Sequence, residues 1–412
     1  MPKARLEHCR PNGQKHPKPR RYFVGRLLSG FGTLNATGIR SCFAETDDEV
    51  LNATLVWNAL VEPGDRISGI LRAELGIVGS LEKVLTKNLK AEAGLTSAEL
   101  AAAYERWLPR YSPALPADLR GTALRSDAQL LLPTDNLWPK ALTALGDHAP
   151  IALWFRGNPK NFASFNRAVA IVGSRTCTSY GQRVTADTVN GLVKEGGAII
   201  SGGALGVDAV AHRVTLSQGA VTVAVMAGSL DNLYPSGNWQ LFDEISHTGL
   251  LLSEMAPGSK PTRWRFLQRN RLIAALSEAV VVTEAGWRSG SINTASHANV
   301  LNRRVFAVPG PINSPSSAGC NRLIRDQLAE LLLDAADLPL ELGWREPSIP
   351  DQSSLGSLEL RALDALTTRE QSFETIAIAS GLSRAELTLA LGGLQIAQLA
   401  LRGEGNGWLR TH

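Results

Sequence analysis

Cysteine is scarce in this sequence. Four occur in 412 residues, Cys9, Cys42, Cys177 and Cys320, far apart and never as Cys-x-x-Cys. That spacing excludes a zinc ribbon and a dithiol redox motif, and it suits a cytoplasmic protein with reduced thiols. His8, Cys9 and His16 could be drawn together as a metal cluster, but they sit in a tail without fixed geometry, so neither a metal nor a cofactor is expected. Long apolar runs are also missing: nothing approaches the roughly 18 residues of a membrane span, and no membrane partner is expected. Nor does one sign of charge dominate, since 42 Lys/Arg face 38 Asp/Glu for a net +4. Residues 1–21 alone carry Lys3, Arg5, Arg10, Lys15, Lys18, Arg20 and Arg21 against Glu7, a local +6 that leaves the rest of the chain near −2. A near-neutral body excludes a histone-like wrapper of polyanions, so any nucleic-acid contact must come from local clusters. The basic tail is Pro-rich and has no apolar core, which predicts disorder and not a secretory signal.

What the chain does contain is a recurring unit of apolar strand, Gly/Ser turn and helix. AVAIVGSRTCTSYG begins at Ala168, AIISGGALGVDAVAH at Ala198, VTVAVMAGS at Val221 and AVVVTEAGWRSGSINTA at Ala279. Such turns leave backbone N–H groups free at helix N-termini, where anions bind. Turns that follow parallel strands gather at the carboxyl edge of one sheet. The repeat therefore predicts an α/β, doubly wound core with a phosphate site formed by Gly173, Ser174 and Arg175, by Ser201, Gly202 and Gly203, and by Ser289, Gly290 and Ser291.

Between the third and fourth units lies GSKPTRWRFLQRNRLIAALS, from Gly258 to Ser277, with Lys260, Arg263, Arg265, Arg269 and Arg271, no acid, and Trp264 and Phe266 interleaved. Guanidinium groups pair with phosphates and aromatic faces stack on unpaired bases. Single-stranded nucleic acid thus fits better than a free nucleotide. Phe266, Leu272, Ile273 and Leu276 read as a core-facing stripe, whereas the arginines read as ligand contacts.

The blocks VAIVGSR, SGGALGVDAVAH, TVAVMAGSLDNLYPSGN, RNRLIAALS, TEAGWRSGSINTA and RVFAVPG, in this order between roughly Leu130 and Leu333, resemble the DNA-processing protein A (DprA, or Smf) family. The resemblance implies an extended Rossmann DNA-binding domain that also forms a homodimer. It further implies a non-enzymatic, cytoplasmic protein of natural transformation that protects incoming single-stranded DNA and helps load a RecA-type recombinase. Arg269, Asn270 and Arg271 match the family's Arg-Asn-Arg. Leu267 stands where the family commonly has Pro, and Ser236 where it often has Lys. Arg175 is the first expected phosphate ligand, Arg263 the second, and Phe266 the base-contacting aromatic.

The competing reading is a nucleotide-processing Rossmann enzyme similar to the Lonely Guy phosphoribohydrolases. Their Pro-Gly-Gly-x-Gly-Thr turn, with its following catalytic Glu, corresponds here to Gly286-Trp287-Arg288-Ser289-Gly290-Ser291, and that Glu is missing. Asp208 and His212, four apart on one helix face, could form an acid/base pair with Glu284 nearby. The simpler expectation is that Asp208 orients the Gly-rich loop and His212 makes a structural polar contact.

Along the chain, residues 1–21 form the tail and 22–125 a helical domain whose position resembles the family's sterile-alpha-motif-like (SAM-like) module, with Thr96 or Ser97 capping a helix through Glu99. Residues 126–338 form the extended Rossmann domain and 339–357 a Pro/Ser/Gly linker. Residues 358–412 read as a winged helix-turn-helix: helices at LELRALDAL and FETIAIAS, a turn at Gly381-Leu382, a third helix capped by Ser383 with Glu386, and LALRGEGNGWLR as a two-strand wing. This module counts five Arg against six Asp/Glu, which favours a protein-docking or structural role over duplex reading.

Overall fold

The computed structural model describes residues 48–89, 94–345, 355–403 and 405–411. The expected basic tail, with His8, Cys9 and His16, as well as Cys42 and residues 346–354 of the expected linker, lie outside these residues. The chain divides into two compact units, one through Pro339 and one from Leu340.

The described part of the first unit opens with four α-helices, α1 (Asp48–Leu60), α2 (Arg66–Leu85), α3 (Ser97–Trp107) and α4 (Leu115–Arg125). Thr96, not Ser97, caps α3: its hydroxyl accepts from the Glu99 N–H and the Glu99 carboxylate accepts from the Thr96 N–H at 2.8 Å, closing a capping box. Trp57 and Trp107 meet edge to face at 5.2 Å in the helices' own core. These helices are not a separate body. Leu51 and Leu55 of α1 and Leu119 and Ala123 of α4 share one apolar cluster with sheet residues Leu130, Trp154 and Ala224.

A nine-stranded sheet follows, in the order β1-β2-β6-β5-β4-β3-β7-β8-β9. Its strands are β1 (Gln129–Leu131), β2 (Leu153–Gly157), β3 (Ala168–Gly173), β4 (Ala198–Ser201), β5 (Thr222–Met226), β6 (Leu250–Ser253), β7 (Ala279–Glu284), β8 (Arg304–Ala307) and β9 (Glu330–Leu331). From β6 across to β9 all neighbours pair parallel, and β2 joins β6 antiparallel. Strand periodicity sorts the side chains: Val223 and Val225 fall in one apolar cluster, Ala224 and Met226 in the other. The first cluster takes in α8 (Arg263–Leu276) and α9 (Gly290–Val300), and the second α6 (Val207–Ser217) and α7 (Trp239–Thr248). Helices α5 (Ser179–Lys194) and α10 (Ala318–Arg325) complete the layers. Both faces are covered, which is why the strands read as near-continuous apolar runs. The fold is mixed α/β and Rossmann-like, as the sequence predicts.

The second unit holds α11 (Ser357–Ala365), α12 (Phe373–Ser380), α13 (Arg384–Ile396) and a hairpin of β10 (Ala400–Arg402) with β11 (Trp408–Arg410). Gly381 ends α12 at φ +65°, the left-handed conformation glycine tolerates, and Ser383 with Glu386 forms the expected capping box. Its core is its own, built around Leu363, Ile376, Leu387, Leu391 and Leu394.

Candidate nucleic-acid interface

Strand β3 continues to β4 on one side of the sheet, while β7 lies on its other side. The chain therefore leaves the carboxyl ends of β3 and β7 in opposite directions, and a crevice opens between them. That crevice is a cleft of about 920 Å³. Its floor comes from the turn after β3 (Gly173, Ser174, Arg175), one wall from α8 (Arg263, Phe266, Arg269, Asn270), and the other from the turn after β7 (Gly286, Trp287, Arg288, Ser289, Gly290, Ser291).

Gly173 is required by space. A Cβ there would stand 2.6 Å from Val207 Cγ2 and 2.8 Å from the Glu284 carbonyl oxygen. The turn is pinned from both sides: the Ser174 N–H donates to the Glu284 carbonyl at 2.6 Å, and its carbonyl accepts from the Val207 N–H at 3.1 Å. The Glu284 carboxylate accepts from the Thr178 N–H (2.9 Å) and hydroxyl (2.8 Å), so it serves the start of α5. Cys177, beside it, has its thiol pushed up to about 12 by burial and by Glu284, which keeps it protonated.

Three arginines face the opening. Arg175, Arg263 and Arg288 are exposed and have no carboxylate partner among the described residues. The Arg175 guanidinium lies 5.3 Å from the Phe266 ring, which Tyr234 meets edge-on at 5.7 Å. Helix α8 starts at Thr262, whose hydroxyl accepts from the Arg265 N–H, so Arg263 and Phe266 project from its first turn. On the opposite wall Ser289 caps α9, its hydroxyl 2.8 Å from that of Ser291.

Several expected contacts are absent from the cleft, each for a physical reason. Ser201 is fully buried and donates to the Ile171 carbonyl at 2.6 Å. The N–H groups of Gly202 and Ala204 both donate to the Asp208 carboxylate at 3.2 Å, and Gly203 packs under Phe242. This second turn thus carries its anion internally. Arg271 is buried, with one nitrogen 2.6 Å from each Glu254 oxygen. Arg265 grips Glu62 through Nε at 2.9 Å and a terminal nitrogen at 2.8 Å. Two arginines of the basic stretch therefore hold α8 in place.

Arg269 and Asn270 line the cleft but work inward. Arg269 donates to the carbonyls of Gly202 (2.7 Å) and Val225, and burial drives its guanidinium down to about 10. Asn270 ties α8 to α9 by donating to the Gly290 carbonyl (3.3 Å) and the Asn293 side-chain oxygen (3.1 Å). Asp208, pushed up by burial against the pull of Arg269 and two amide bonds, orients the Gly-rich loop as the simpler reading expected. His212 is fully buried, its Nδ1 2.7 Å from the Thr222 hydroxyl while Nε2 has no described partner. His212 does not line the cleft, and Asp208, which does, is held by the loop amides, so the two do not act on it as an acid/base pair.

Arg288 and Tyr234 belong to the cleft but were not among the expected site residues. Arg288 carried a signal in the sequence, a cation directly before the capping Ser289. Tyr234 had none, because its approach to Phe266 depends on tertiary packing.

With this geometry in place, comparison with known proteins is specific. The family model for DNA recombination-mediator protein A matches residues 129–343, of which 129–339 lie in the first unit. A putative DNA processing protein DprA of Mycobacterium tuberculosis is 40% identical over 299 residues, covering 67% of this chain and 76% of that protein. The DNA processing protein DprA of Streptococcus pneumoniae is 40% identical over 207 residues, covering 50% and 72%. Its X-ray structure superposes with a TM-score of 0.58 at 30% identity over 72% of this chain and 99% of that one. The chain belongs to the DNA recombination-mediator protein A family.

Proposed function

We propose that the cleft between β3 and β7 binds single-stranded DNA by its phosphates, with little sequence preference. One observation carries the reading: among the described residues Arg175, Arg263 and Arg288 stand exposed and without a carboxylate partner around Phe266 and Tyr234, while the only carboxylate lining the cleft, Asp208, is buried against amides and Arg269. Free guanidinium groups would accept phosphates and the rings would accept unpaired bases. The cleft works as a binder and not as a catalyst, since Glu284, Asp208 and His212 are all engaged in structural contacts.

Family membership supports the wider role: a cytoplasmic protein of natural transformation and DNA recombination that protects incoming single strands as a homodimer and helps load a RecA-type recombinase. In this reading residues 22–125 are a SAM-like module, 126–338 the extended Rossmann domain, and 358–412 a winged helix reached through a linker at 339–357. The order of three helices and a hairpin, with a glycine turn between the last two helices, supports the winged-helix assignment. No described helix is long and apolar enough to cross a membrane.

The test is a binding titration against single- and double-stranded DNA across salt concentrations. Single strands should bind more tightly, and log affinity should fall linearly with log salt as counterions are released. Equal affinity for both forms overturns the role given to the aromatic rings.

A further inference from the structure

Trp287 is an unusual residue to find at the rim of a phosphate site. It is 52% exposed, yet its position is fixed from several directions. The Arg322 guanidinium lies 4.7 Å over its ring and is itself held by Asp326 at 3.2 Å. The backbone just before it is clamped as well: the Gly319 N–H donates to the Ala285 carbonyl at 2.7 Å, and the Ser289 N–H donates to the Gly286 carbonyl at 3.1 Å. A Cβ on Gly319 would stand 2.5 Å from the Gly286 carbonyl oxygen, so α10 packs hard against this loop. An exposed indole immobilised in this way meets a ligand without first losing rotamer freedom.

We propose that Trp287 is a base-stacking platform, taking one unpaired nucleobase on the wall opposite Phe266. This rests on the single-strand reading of the cleft and deepens it. Trp287 is followed directly by Arg288, so one turn offers a plane for a base and a cation for its phosphate. Arg322 stacks on the indole, and Trp287 also lines the cleft. Base–aromatic stacking tolerates any base because every base has a π face, which agrees with a site that reads no sequence.

The experiment compares two oligonucleotides of equal length, one of deoxythymidine and one of abasic tetrahydrofuran residues, with equal phosphate number. Trp287→Ala should weaken thymidine binding roughly tenfold, about 1.4 kcal/mol, and change abasic binding less than twofold. Trp287→Phe should recover most of the loss because it keeps an aromatic face. Thermal melts of both variants should match the parent, given the exposure of the ring. Equal losses on the two oligonucleotides, no loss on thymidine, or failure of Phe to recover binding overturns the platform. Arg175→Ala on the same pair separates the two readings: it should weaken both equally, and if it weakens neither, the phosphate cleft itself is misplaced.

Discussion

The turns after β3 and β4 look alike in sequence, Gly173-Ser174-Arg175 and Ser201-Gly202-Gly203, and follow adjacent parallel strands. They differ in what their donors meet. In the second turn the Asp208 carboxylate accepts two of the amides and Arg269 takes a carbonyl, so no external anion is needed. Among the described residues no carboxylate meets the amides of Gly173, Ser174 or Arg175, Glu284 accepting instead from Thr178 at the start of α5, and Arg175 reaches the cleft without a carboxylate partner. Gly/Ser composition creates a cradle for negative charge; whether the protein supplies that charge itself decides if the cradle is a site. The basic stretch divides in the same way, with Arg263 open to solvent and Arg265 and Arg271 closed on Glu62 and Glu254.

The closed set should reveal itself through stability. Arg271→Ala leaves Glu254 buried without its cation, and breaking a buried pair costs about 3–5 kcal/mol. A urea titration should show that loss, while the molecules that remain folded keep their salt slope for single-stranded DNA. A stable variant with a flattened slope would move Arg271 from the closed set to the open one.

The open set should do the reverse. Arg175→Ala should reduce single-strand affinity about tenfold or more, since a charge-assisted hydrogen bond contributes roughly 1.5–3 kcal/mol. The salt slope should flatten by about one phosphate, and the melting curve should barely move because the residue is exposed. If the variant unfolds while Arg263→Ala binds normally, Arg175 is a structural residue and the comparison between the turns fails.

Acid probes the closed side again, through His212. Burial, with Arg269 and Arg213 adding to it, holds this imidazole down to about 3, against 6.5 for the free group. Below pH 6.5 the unfolded chain takes up a proton that the folded chain refuses, so stability falls as pH falls, by up to about 1.4 kcal/mol per unit. His297, also lowered by burial, adds in the same direction. Glu62, Asp326 and Glu330 have lowered values and act only below about 4.5, while Asp208, raised by burial, acts in the opposite sense, so the difference between parent and variant isolates His212 in the interval from 6.5 to 5. His212→Gln should make denaturation midpoints less dependent on pH in that interval. An unchanged dependence would mean His212 accepts its proton in the folded state.

Much of this was legible in the sequence, and what was not has a common cause. The capping boxes at Thr96 and Ser383, the strand-turn-helix order and the three helices of the last unit are set by neighbours within a few residues. So are the two turns that reach the cleft. The closed arginines depend on partners the local sequence cannot supply: Glu62 lies 203 positions from Arg265, and Glu254 lies on a different element from Arg271, 17 positions away. An acid-free run of arginines looks like a ligand surface until the fold brings carboxylates to it from elsewhere. The fusion of the N-terminal helices with the sheet was hidden for the same reason, because Leu51 and Leu119 meet Trp154 and Ala224 only in three dimensions.

The smallest effect expected belongs to the second unit, and it extends the comparison from turns to whole regions. Residues 358–412 hold five arginines against six acids, so removing them takes no net positive charge from the protein. The helix that would enter a groove in a duplex reader, α13, leaves Leu389 (71%) and Ile396 (87%) exposed one heptad apart, and Ile378 (84%) on α12 is exposed too. Phosphates and base edges call for cations and hydrogen-bond donors, whereas apolar side chains suit a protein surface. Deleting 358–412 should therefore change single-strand affinity less than twofold and leave the salt slope intact. The truncated chain should still melt cooperatively, because the unit through Pro339 has its own core. A loss of most binding on truncation would show that DNA contact is shared between the units and that an open arginine in the cleft is not sufficient.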